Sequence, residues 1–214
     1  MKTSMNDYLE QILPVSADWI REMEREAKED NIPIMDKVSM QFVNQIIRLT
    51  EPKQILEIGT AIGYSALRML DAFPSATITT IERDEERYHR AKELIEERGK
   101  VSNIQLMYGD ALEVLTSLQT TGNEFDVAFI DAAKGQYQSF FEQVDPMVRA
   151  GGIVISDNVL FRGLVASEEE VDKKYRSLVK KLRLYNAWLM NHSNYESSII
   201  PIGDGIALSI KKQQ

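Results

Sequence analysis

The residues best suited to chemistry in this chain lie in the segment FIDAAKGQY, residues 129–137. An apolar run ends there in Asp131, and Lys134 follows three residues later. A carboxylate at the end of a buried strand can hold a cation. A lysine beside a divalent cation has its pKa lowered from about 10.4, so that it can accept a proton near neutral pH. A plain salt bridge between Asp131 and Lys134 is the alternative interpretation.

A second oxygen-rich pair, Asp157-Asn158, follows the apolar run GIVIS at 152–156. The carboxyl ends of neighbouring parallel strands meet at one edge of a sheet, so Asp131 could lie beside this pair. Two carboxylates and an amide, without histidine or cysteine, suit a hard cation such as Mg²⁺ or Mn²⁺. A hydroxyl bound to such an ion becomes more acidic, which gives Lys134 a proton to remove. An Asx turn at Asp157-Asn158 is the alternative.

The segment EIGTAIGYS, residues 57–65, could hold a nucleoside cofactor after an earlier strand. Gly59 and Gly63 allow a tight turn and a close backbone approach to a ligand. Their spacing differs from the G-x-G-x-x-G of dinucleotide-binding dehydrogenases, which argues against that class. Glu57 would repel phosphates, but it could hold the ammonium group of an amino-acid-like cofactor.

Two further strand ends carry acidic residues. Glu82 could accept hydrogen bonds from both hydroxyls of a ribose. It could instead cap the next helix, a role for which Asp84 is equally suited. Asp110, in the segment YGDA, could reach an adenine amino group or cap a helix of its own.

These positions require a sheet whose strands alternate with helices. Strand-like apolar runs alternate with helical patterns from Pro52 onward, and the C-terminal runs SIIPI and IALSI flank a GDG turn. The pattern predicts a doubly wound, Rossmann-like α/β sheet, mostly parallel with an antiparallel C-terminal hairpin, within one domain. The predicted parallel strands cover residues 54–59, 76–82, 103–108, 125–131 and 152–156.

Residues 1–50 are predicted to form N-terminal helices, and residues 51–214 the core. Ser16 is the predicted N-cap of a charged helix that ends near Asp30. A later helix is predicted to extend from Tyr137 as far as Val148, and a long helix to cover roughly residues 168–190. In the second N-terminal helix, the predicted apolar face carries Val38, Phe42, Ile46 and Leu49.

The composition excludes several classes of function. The chain has no cysteine, which rules out disulfides, thiolate metal sites and a cysteine nucleophile, and which suits a reducing, cytoplasmic location. With two histidines, a histidine-based zinc site is not expected. No secretory signal and no apolar run of about 18 residues is present, so no membrane partner is expected. The net charge of −8 disfavours nucleic-acid phosphates, with one local exception.

Five segments together resemble the cation-dependent O-methyltransferases related to the catechol and caffeoyl-CoA enzymes. The resemblance runs from about Pro33 to the C-terminus, and it rests on ILEIGTAIGYSALRM, Glu82, YGDA, FIDAAKGQY and ISDNVLFRG. It implies a class I S-adenosylmethionine-dependent methyltransferase fold with a seven-stranded sheet. Within the family, YNAWLMNH and PIGDGIAL most resemble the bacterial branch that methylates 5-hydroxyuridine at the tRNA wobble position.

The same resemblance implies a role for each matching position. Asp131, Asp157 and Asn158 are the implied Mg²⁺ ligands, and Lys134 is the implied general base. The family has a glycine where this chain has Ala61, which is a small departure. The implied residues around S-adenosylmethionine are Met35, Glu57, Gly59, Tyr64, Ser65, Glu82, Asp110, Ala111 and Asp131.

A basic segment bears on the choice of substrate. The run KKYRSLVKKLR, residues 173–183, has six basic residues and no acidic one. Arg162, just after the Asp-Asn pair, could add positive charge at the mouth of the site. These residues predict contact with the anticodon loop of tRNA, whereas a solvated amphipathic helix is the alternative. On a helix, one face would carry Lys173, Arg176, Lys180 and Arg183.

Three hypotheses about function follow. The first is an S-adenosylmethionine- and Mg²⁺-dependent methyltransferase of 5-hydroxyuridine in tRNA. The second is an O-methyltransferase of small catechols or caffeoyl-CoA-like phenols, which predicts turnover without RNA. The third is a non-catalytic nucleotide-binding protein, which has no use for Lys134. The family also implies a homodimer, and the N-terminal helices could form its interface or could instead close over the cofactor.

Overall fold

The computed structural model describes residues 5–167 and 170–213. A seven-stranded sheet runs through its centre in the order β3-β2-β1-β4-β5-β7-β6. Strands β1 to β5 are parallel to one another, whereas β7 is antiparallel to both β5 and β6. The strands are Gln54–Ile58 (β1), Thr77–Glu82 (β2), Ile104–Tyr108 (β3), Phe125–Ile130 (β4), Val148–Ser156 (β5), Tyr195–Ile200 (β6) and Ile206–Lys211 (β7).

Helices precede the sheet and connect its parallel strands. Two short 3₁₀ turns, Lys134–Gln136 and Asp145–Met147, flank the helix between β4 and β5. Within the described residues, no helix is long and apolar enough to cross a membrane. The helices are Met5–Gln11 (α1), Asp18–Glu29 (α2), Lys37–Thr50 (α3), Tyr64–Ala72 (α4), Glu85–Glu97 (α5), Ala111–Gln119 (α6), Tyr137–Val144 (α7) and Arg176–Met190 (α8).

Each face of the sheet carries its own apolar core. Side chains alternate between the faces along a strand, so Ile55 joins the core formed with α2 to α5, and Leu56 joins the core formed with α6 to α8. In β4, Phe129 likewise joins the first of these cores and Ala128 joins the second. Burial on both faces explains why the central strands are almost continuously apolar in sequence.

The order of the strands sets the position of the ligand pocket. From β1 the chain proceeds outward to β2 and β3, and then it returns to place β4 on the other side of β1. Ligands of such sheets bind beyond the carboxyl ends of the strands, at the point where the order reverses. Gly59 follows β1 and Asp131 follows β4, so both lie at this point.

The strands and the terminal hairpin confirm the predicted fold, whereas two details of the N-terminal helices were wrong. The N-cap of α2 is Ala17, not Ser16, and it makes no side-chain capping hydrogen bond. The backbone carbonyl of Ser16 accepts a hydrogen bond from Arg21. Leu49 lies on the solvent side of α3 and is 79 % exposed. Val38 is buried as predicted, and Phe42 and Ile46 pack partly buried against the core, whose fully buried α3 residues include Met40, Val43 and Ile47.

Two boundaries in the C-terminal half also differ from the prediction. Val148 begins β5, where it pairs with Phe125, because Pro146 in the preceding 3₁₀ turn prevents α7 from continuing. Helix α8 begins at Arg176 rather than near residue 168. Residues 170–175 form turns and extended chain, and residues 168–169 lie outside the described residues.

Candidate active site

A single pocket at the carboxyl ends of the strands collects most of the predicted site residues. It is lined from one side by the β1–α4 turn and from the other by the segments that follow β4 and β5. Glu57 and the predicted RNA-binding residues do not line it. The predicted residues that line the pocket are Met35, Gly59, Tyr64, Ser65, Glu82, Asp110, Ala111, Asp131, Lys134, Asp157 and Asn158.

The turn after β1 is built for close contact with the end of β4. Gly59 has a φ of 100°, and a Cβ atom added to it would lie 2.0 Å from the backbone oxygen of Asp131. A glycine is therefore required at this position. Ala61 adopts a left-handed φ of 47°, which costs about 1–2 kcal/mol because its Cβ atom approaches the following carbonyl oxygen. Gly63, also left-handed, then begins α4.

The Glu82 carboxylate fixes this turn from the neighbouring strand. It accepts hydrogen bonds from the backbone amide of Ala61 at 2.7 Å and from those of Arg83 and Asp84, each at 2.9 Å. Asp84, not Glu82, caps α5, since its side chain accepts the amide of Arg87. Glu82 is therefore held on the pocket wall, and its Oε2, which accepts only one of these amides, can also accept a hydrogen bond from a ribose.

Asp110 caps a helix, as one of its two predicted roles requires, and its position on the pocket leaves the contact with an adenine a prediction. Its side chain accepts the amide of Leu112 at 3.0 Å and so caps α6, and it also lines the pocket. The carboxylate faces the solvent-exposed end of the pocket, where Gly109 and Ala111 form the adjacent wall. One side chain can thus cap a helix and present its second oxygen to a bound base.

Glu57 lies one layer behind the pocket wall. It is fully buried, and it accepts hydrogen bonds of 2.5 Å from the hydroxyls of Ser65 and Thr80. Burial raises the pKa of Glu57 to about 7, and the two hydroxyl hydrogen bonds partly oppose that rise. Ser65 itself reaches the pocket, so Glu57 can act on a ligand through the orientation of this hydroxyl.

Tyr64 forms part of the pocket wall and is held by charged residues on its outer side. Its hydroxyl donates to Glu24 at 2.9 Å and accepts from Arg68 at 2.8 Å. Glu24 also forms a 2.9 Å ion pair with Lys37. The N-terminal helix α2 is thus tied to the wall of the pocket through Glu24.

At the other end of the pocket, two carboxylates lie close together at the ends of β4 and β5. Desolvation raises the pKa of Asp131, and the charge of Lys134 opposes that rise. Desolvation raises the pKa of Asp157 well above its usual range, and the charge of Asp131 adds to the effect. Both carboxylates therefore lie in surroundings that disfavour their charged forms, and Lys134 offsets the rise in pKa only in part.

The donor set at this end fits a hard divalent cation. Asp157 is 1 % exposed, and Asn158 follows it with a left-handed φ of 55°. The backbone and side-chain amides of Asn158 donate to the Asp157 carboxylate at 2.7 and 2.9 Å. Within 5–167 and 170–213, no group of three or more His, Cys, Asp or Glu residues could hold a metal. Two carboxylates, the Asn158 amide and water are nevertheless a donor set that Mg²⁺ accepts.

Lys134 stands beside this pair without an ion pair to it. It begins the 3₁₀ turn Lys134–Gln136 and lines the pocket. Among the described residues, no salt bridge joins Lys134 to Asp131, so the alternative interpretation of this pair was wrong. Its charge still acts on both Asp131 and Asp157 from within the pocket.

Tyr137 is a site residue that the sequence analysis treated only as part of a helical core. Its hydroxyl donates to the backbone carbonyl of Asp157 at 2.9 Å. Its ring packs edge-to-face on Tyr185, with 5.5 Å between the centroids. No local sequence pattern pointed to this contact, because the accepting carbonyl lies twenty residues away in the chain.

The predicted RNA-binding residues lie outside the pocket, and several are engaged within the chain. Arg176 donates to the backbone carbonyl of Val171 and pairs with Glu170, and Arg183 donates to the backbone carbonyls of residues 164, 165 and 167. Lys173 precedes α8 and so is not part of a helical stripe. Arg162 is exposed, but it donates to the Tyr175 hydroxyl at 3.4 Å and lies over the rings of Phe161 and Tyr175. The remaining predicted residues, Lys173 and Lys180, are exposed.

Comparison with known proteins gives concordant results. A family model described as O-methyltransferase matches residues 14–212. The chain is 33 % identical over 172 residues to a caffeoyl-CoA O-methyltransferase of Populus kitakamiensis, and the match covers 78 % of this chain and 73 % of that protein.

Solved structures share the fold over nearly the whole chain. A Staphylococcus aureus protein, provisionally named a caffeoyl-CoA O-methyltransferase, superposes with a TM-score of 0.85 at 35 % identity, covering 92 % of this chain and 93 % of that one. A Podospora anserina methyltransferase with bound S-adenosylhomocysteine gives a TM-score of 0.84 at 25 % identity, covering 96 % and 93 %.

Proposed function

The chain belongs to the cation-dependent O-methyltransferase family. On that premise we propose that its substrate is a small phenol of the catechol or caffeoyl type, and that it methylates a hydroxyl group with a second oxygen next to it. One observation carries the proposal. Asp131, Asp157, Asn158 and Lys134 line one end of the pocket whose other end carries the residues suited to a nucleoside cofactor.

The cofactor end of the pocket suits S-adenosylmethionine, which supplies a methyl group on a sulfonium. Glu82 is fixed by three backbone amides and can accept the ribose hydroxyls. Asp110 and Ala111 border the space for the adenine. Ser65, oriented by the buried Glu57, can bind the amino-acid part, and Tyr64 provides a rigid wall beside it.

The acceptor end suits a phenol with adjacent oxygens. A divalent cation held by Asp131, Asp157 and Asn158 would supply positive charge that lowers the pKa of a nearby hydroxyl. Lys134 Nζ then accepts the proton of that hydroxyl as general base. The pocket walls hold the resulting oxygen nucleophile in line with the methyl group, and this orientation supplies much of the rate enhancement.

The relatives support a phenolic acceptor, and a second candidate has its own support. The 5-hydroxyl and O4 of 5-hydroxyuridine form the same pair of adjacent oxygens. Three exposed basic residues could contact phosphates. Arg162 and Lys173 lie between the cation ligands and α8, and Lys180 lies within α8. We therefore keep tRNA that carries 5-hydroxyuridine as the alternative acceptor.

The experiment that tests the proposal measures methyl transfer from labelled S-adenosylmethionine to three acceptors in parallel. These are a catechol, caffeoyl-CoA and tRNA that carries 5-hydroxyuridine, each with and without EDTA. Label in a phenol, lost with EDTA, supports the main proposal. Label in the tRNA alone transfers the assignment to the alternative, and chelator-resistant transfer overturns the cation site.

A charge-reversal pair separates the two acceptors further. Lys173→Glu with Lys180→Glu should weaken use of tRNA and reduce its salt dependence, because each phosphate contact contributes to that dependence. It should leave turnover of a free catechol unchanged. Lys92→Glu, at an exposed position of α5, is the matched control.

A further inference from the structure

The hydroxyl of Tyr137 connects the two segments that carry the proposed chemistry. Tyr137 is 1 % exposed and begins α7, directly after the 3₁₀ turn that holds Lys134. Its hydroxyl donates to the backbone carbonyl of Asp157 at 2.9 Å. A single hydrogen bond thus joins the segment of the proposed base to the segment of the proposed cation ligands.

The peptide that receives this hydrogen bond is held in an unusual conformation. The carbonyl belongs to the peptide between Asp157 and Asn158, and Asn158 has a φ of 55° that non-glycine residues rarely adopt. On its other side, the amide of Asp157 donates to the backbone carbonyl of Ile130 at 3.0 Å. One contact fixes the segment to β4, and the other fixes it to Tyr137.

We propose that Tyr137 is a positioning residue for the cation site, because its hydroxyl holds the Asp157–Asn158 peptide in the orientation that directs both side chains into the pocket. The inference rests on the cation site of the proposed function. Groups that orient metal ligands from behind commonly contribute about 10- to 100-fold to metal affinity.

Tyr185 provides a matched control within the same cluster. It is also buried, its ring packs on that of Tyr137, and its hydroxyl shares a 2.7 Å hydrogen bond with the hydroxyl of Ser156. The Tyr185 hydroxyl thus contacts the Ser156 side chain, whereas the Tyr137 hydroxyl contacts the backbone carbonyl of Asp157. Tyr185→Phe and Tyr137→Phe therefore remove the same group from the same packing, but only the second removes a contact to the ligand peptide.

The test compares Mn²⁺ binding to wild type, Tyr137→Phe and Tyr185→Phe, without substrate or cofactor. Free Mn²⁺ is followed by its electron paramagnetic resonance signal. Tyr137→Phe should bind Mn²⁺ about tenfold more weakly than wild type. Tyr185→Phe should stay within about twofold, although each lost hydroxyl should lower the thermal midpoint in EDTA to a similar extent.

Rescue by excess metal separates positioning from general damage. The rate of methyl transfer by Tyr137→Phe should recover towards that of wild type as Mn²⁺ approaches saturation. Equal Mn²⁺ affinity of Tyr137→Phe and wild type would overturn the inference, and so would equal weakening in both variants. If wild type itself binds no Mn²⁺, the proposed cation site fails first, and the inference fails with it.

Discussion

Lys134 has a proposed role in proton transfer that substitution can separate from binding. Lys134→Ala should lower the rate of methyl transfer by about 10²- to 10⁴-fold, because a positioned general base contributes that much. The binding of S-adenosylmethionine, measured by calorimetry, should change little, because the proposed contacts of that cofactor come from other residues. Single-turnover transfer of labelled methyl groups gives the rate.

The matched variant is Lys134→Arg, which keeps the positive charge beside Asp131 but cannot accept a proton. If Lys134→Arg retained most of the activity, the charge alone would be sufficient and the role as base would be wrong. If Lys134→Ala also lost Mn²⁺ binding, its effect could not be assigned to proton transfer.

Glu57 should make stability depend on pH in the cofactor-free protein. Burial raises its pKa to about 7, so the folded state retains a proton that the unfolded chain loses near pH 4.5. The folded state therefore binds more protons across this window, and stability falls as pH rises from about 4.5 to about 7. Ionisation of this buried carboxyl costs on the order of 3 kcal/mol above the window.

Glu57→Gln should remove that cost while keeping a polar partner for Ser65 and Thr80. Relative to wild type, its free energy of unfolding should rise by about 2 kcal/mol between pH 5 and pH 8, measured by urea denaturation. The exposed Glu113→Gln should show no such change. An equal difference from wild type at both pH values would show that the pKa of Glu57 is not raised into this window, which contradicts the prediction.

The site residues that the sequence revealed are those whose chemical type is unusual at their position. Asp131 and Asp157 were found because carboxylates at the ends of buried strands are costly without a purpose. Tyr137 was not found, because an aromatic residue on the buried face of a helix is normally explained by packing. Its hydroxyl acquires a role only through a backbone carbonyl twenty residues away, which no local pattern reports.

At the level of elements, α2 is joined to the pocket wall and to α5 by partly buried polar contacts. Glu24 of α2 accepts from the Tyr64 hydroxyl, which in turn accepts from Arg68 of α4. Glu26 of α2 forms two hydrogen bonds with Arg90 of α5, at 2.6 and 2.8 Å, and these lower the pKa of Glu26. The helix therefore docks through paired charges as well as apolar contacts.

Tyr64→Phe should reduce the free energy of unfolding by about 1–3 kcal/mol, because it leaves Glu24 and Arg68 without their shared partner. Urea denaturation of this variant, of Glu24→Gln and of the double variant gives the coupling between the two positions. Tyr108→Phe, on an exposed ring, is the control. Additive effects of Tyr64→Phe and Glu24→Gln would mean that the hydrogen bond does not dock the helix.

The parallel strands were predictable as elements because their burial on both faces makes them apolar without interruption. Helix ends were less predictable, since tertiary contacts override local signals. Ser16 was a suitable N-cap by type, yet the N-cap is Ala17. The backbone carbonyl of Ser16 instead accepts a hydrogen bond from Arg21. The basic run that leads into α8 has no sequence signal for the start of a helix. Two of its arginines, both within α8, donate to backbone carbonyls of the preceding segment.

For the whole molecule, the N-terminal segment offers an apolar surface that suits a second copy of the chain. Helix α1 buries none of its own residues, whereas α2 already contacts the cofactor end of the pocket. We propose that the homodimer forms through this surface. Its exposed apolar residues are Met5, Tyr8, Ile12, Val15 and Leu49.

Light scattering after size exclusion should give a mass about twice the 24.4 kDa of the chain. Ile12→Glu with Val15→Glu should reduce it to that of one chain, because two carboxylates cannot be buried in an apolar interface. Tyr108→Glu, at an exposed position elsewhere, should leave the mass unchanged. A wild-type mass of one chain at micromolar concentration would contradict the proposal.

Gly59 lies so close to the Asp131 carbonyl that not even a Cβ atom would fit between them. The cofactor half and the cation half of the pocket are therefore in direct backbone contact. A ligand that shifts the turn after β1 must also press on the end of β4, and the reverse holds as well. Occupancy by cofactor and by cation is then coupled, and thermodynamics makes the coupling reciprocal. The factor by which one ligand tightens or loosens the other must be equal in both directions. Each of the two small ligands would then report, through its own affinity, whether the other is bound.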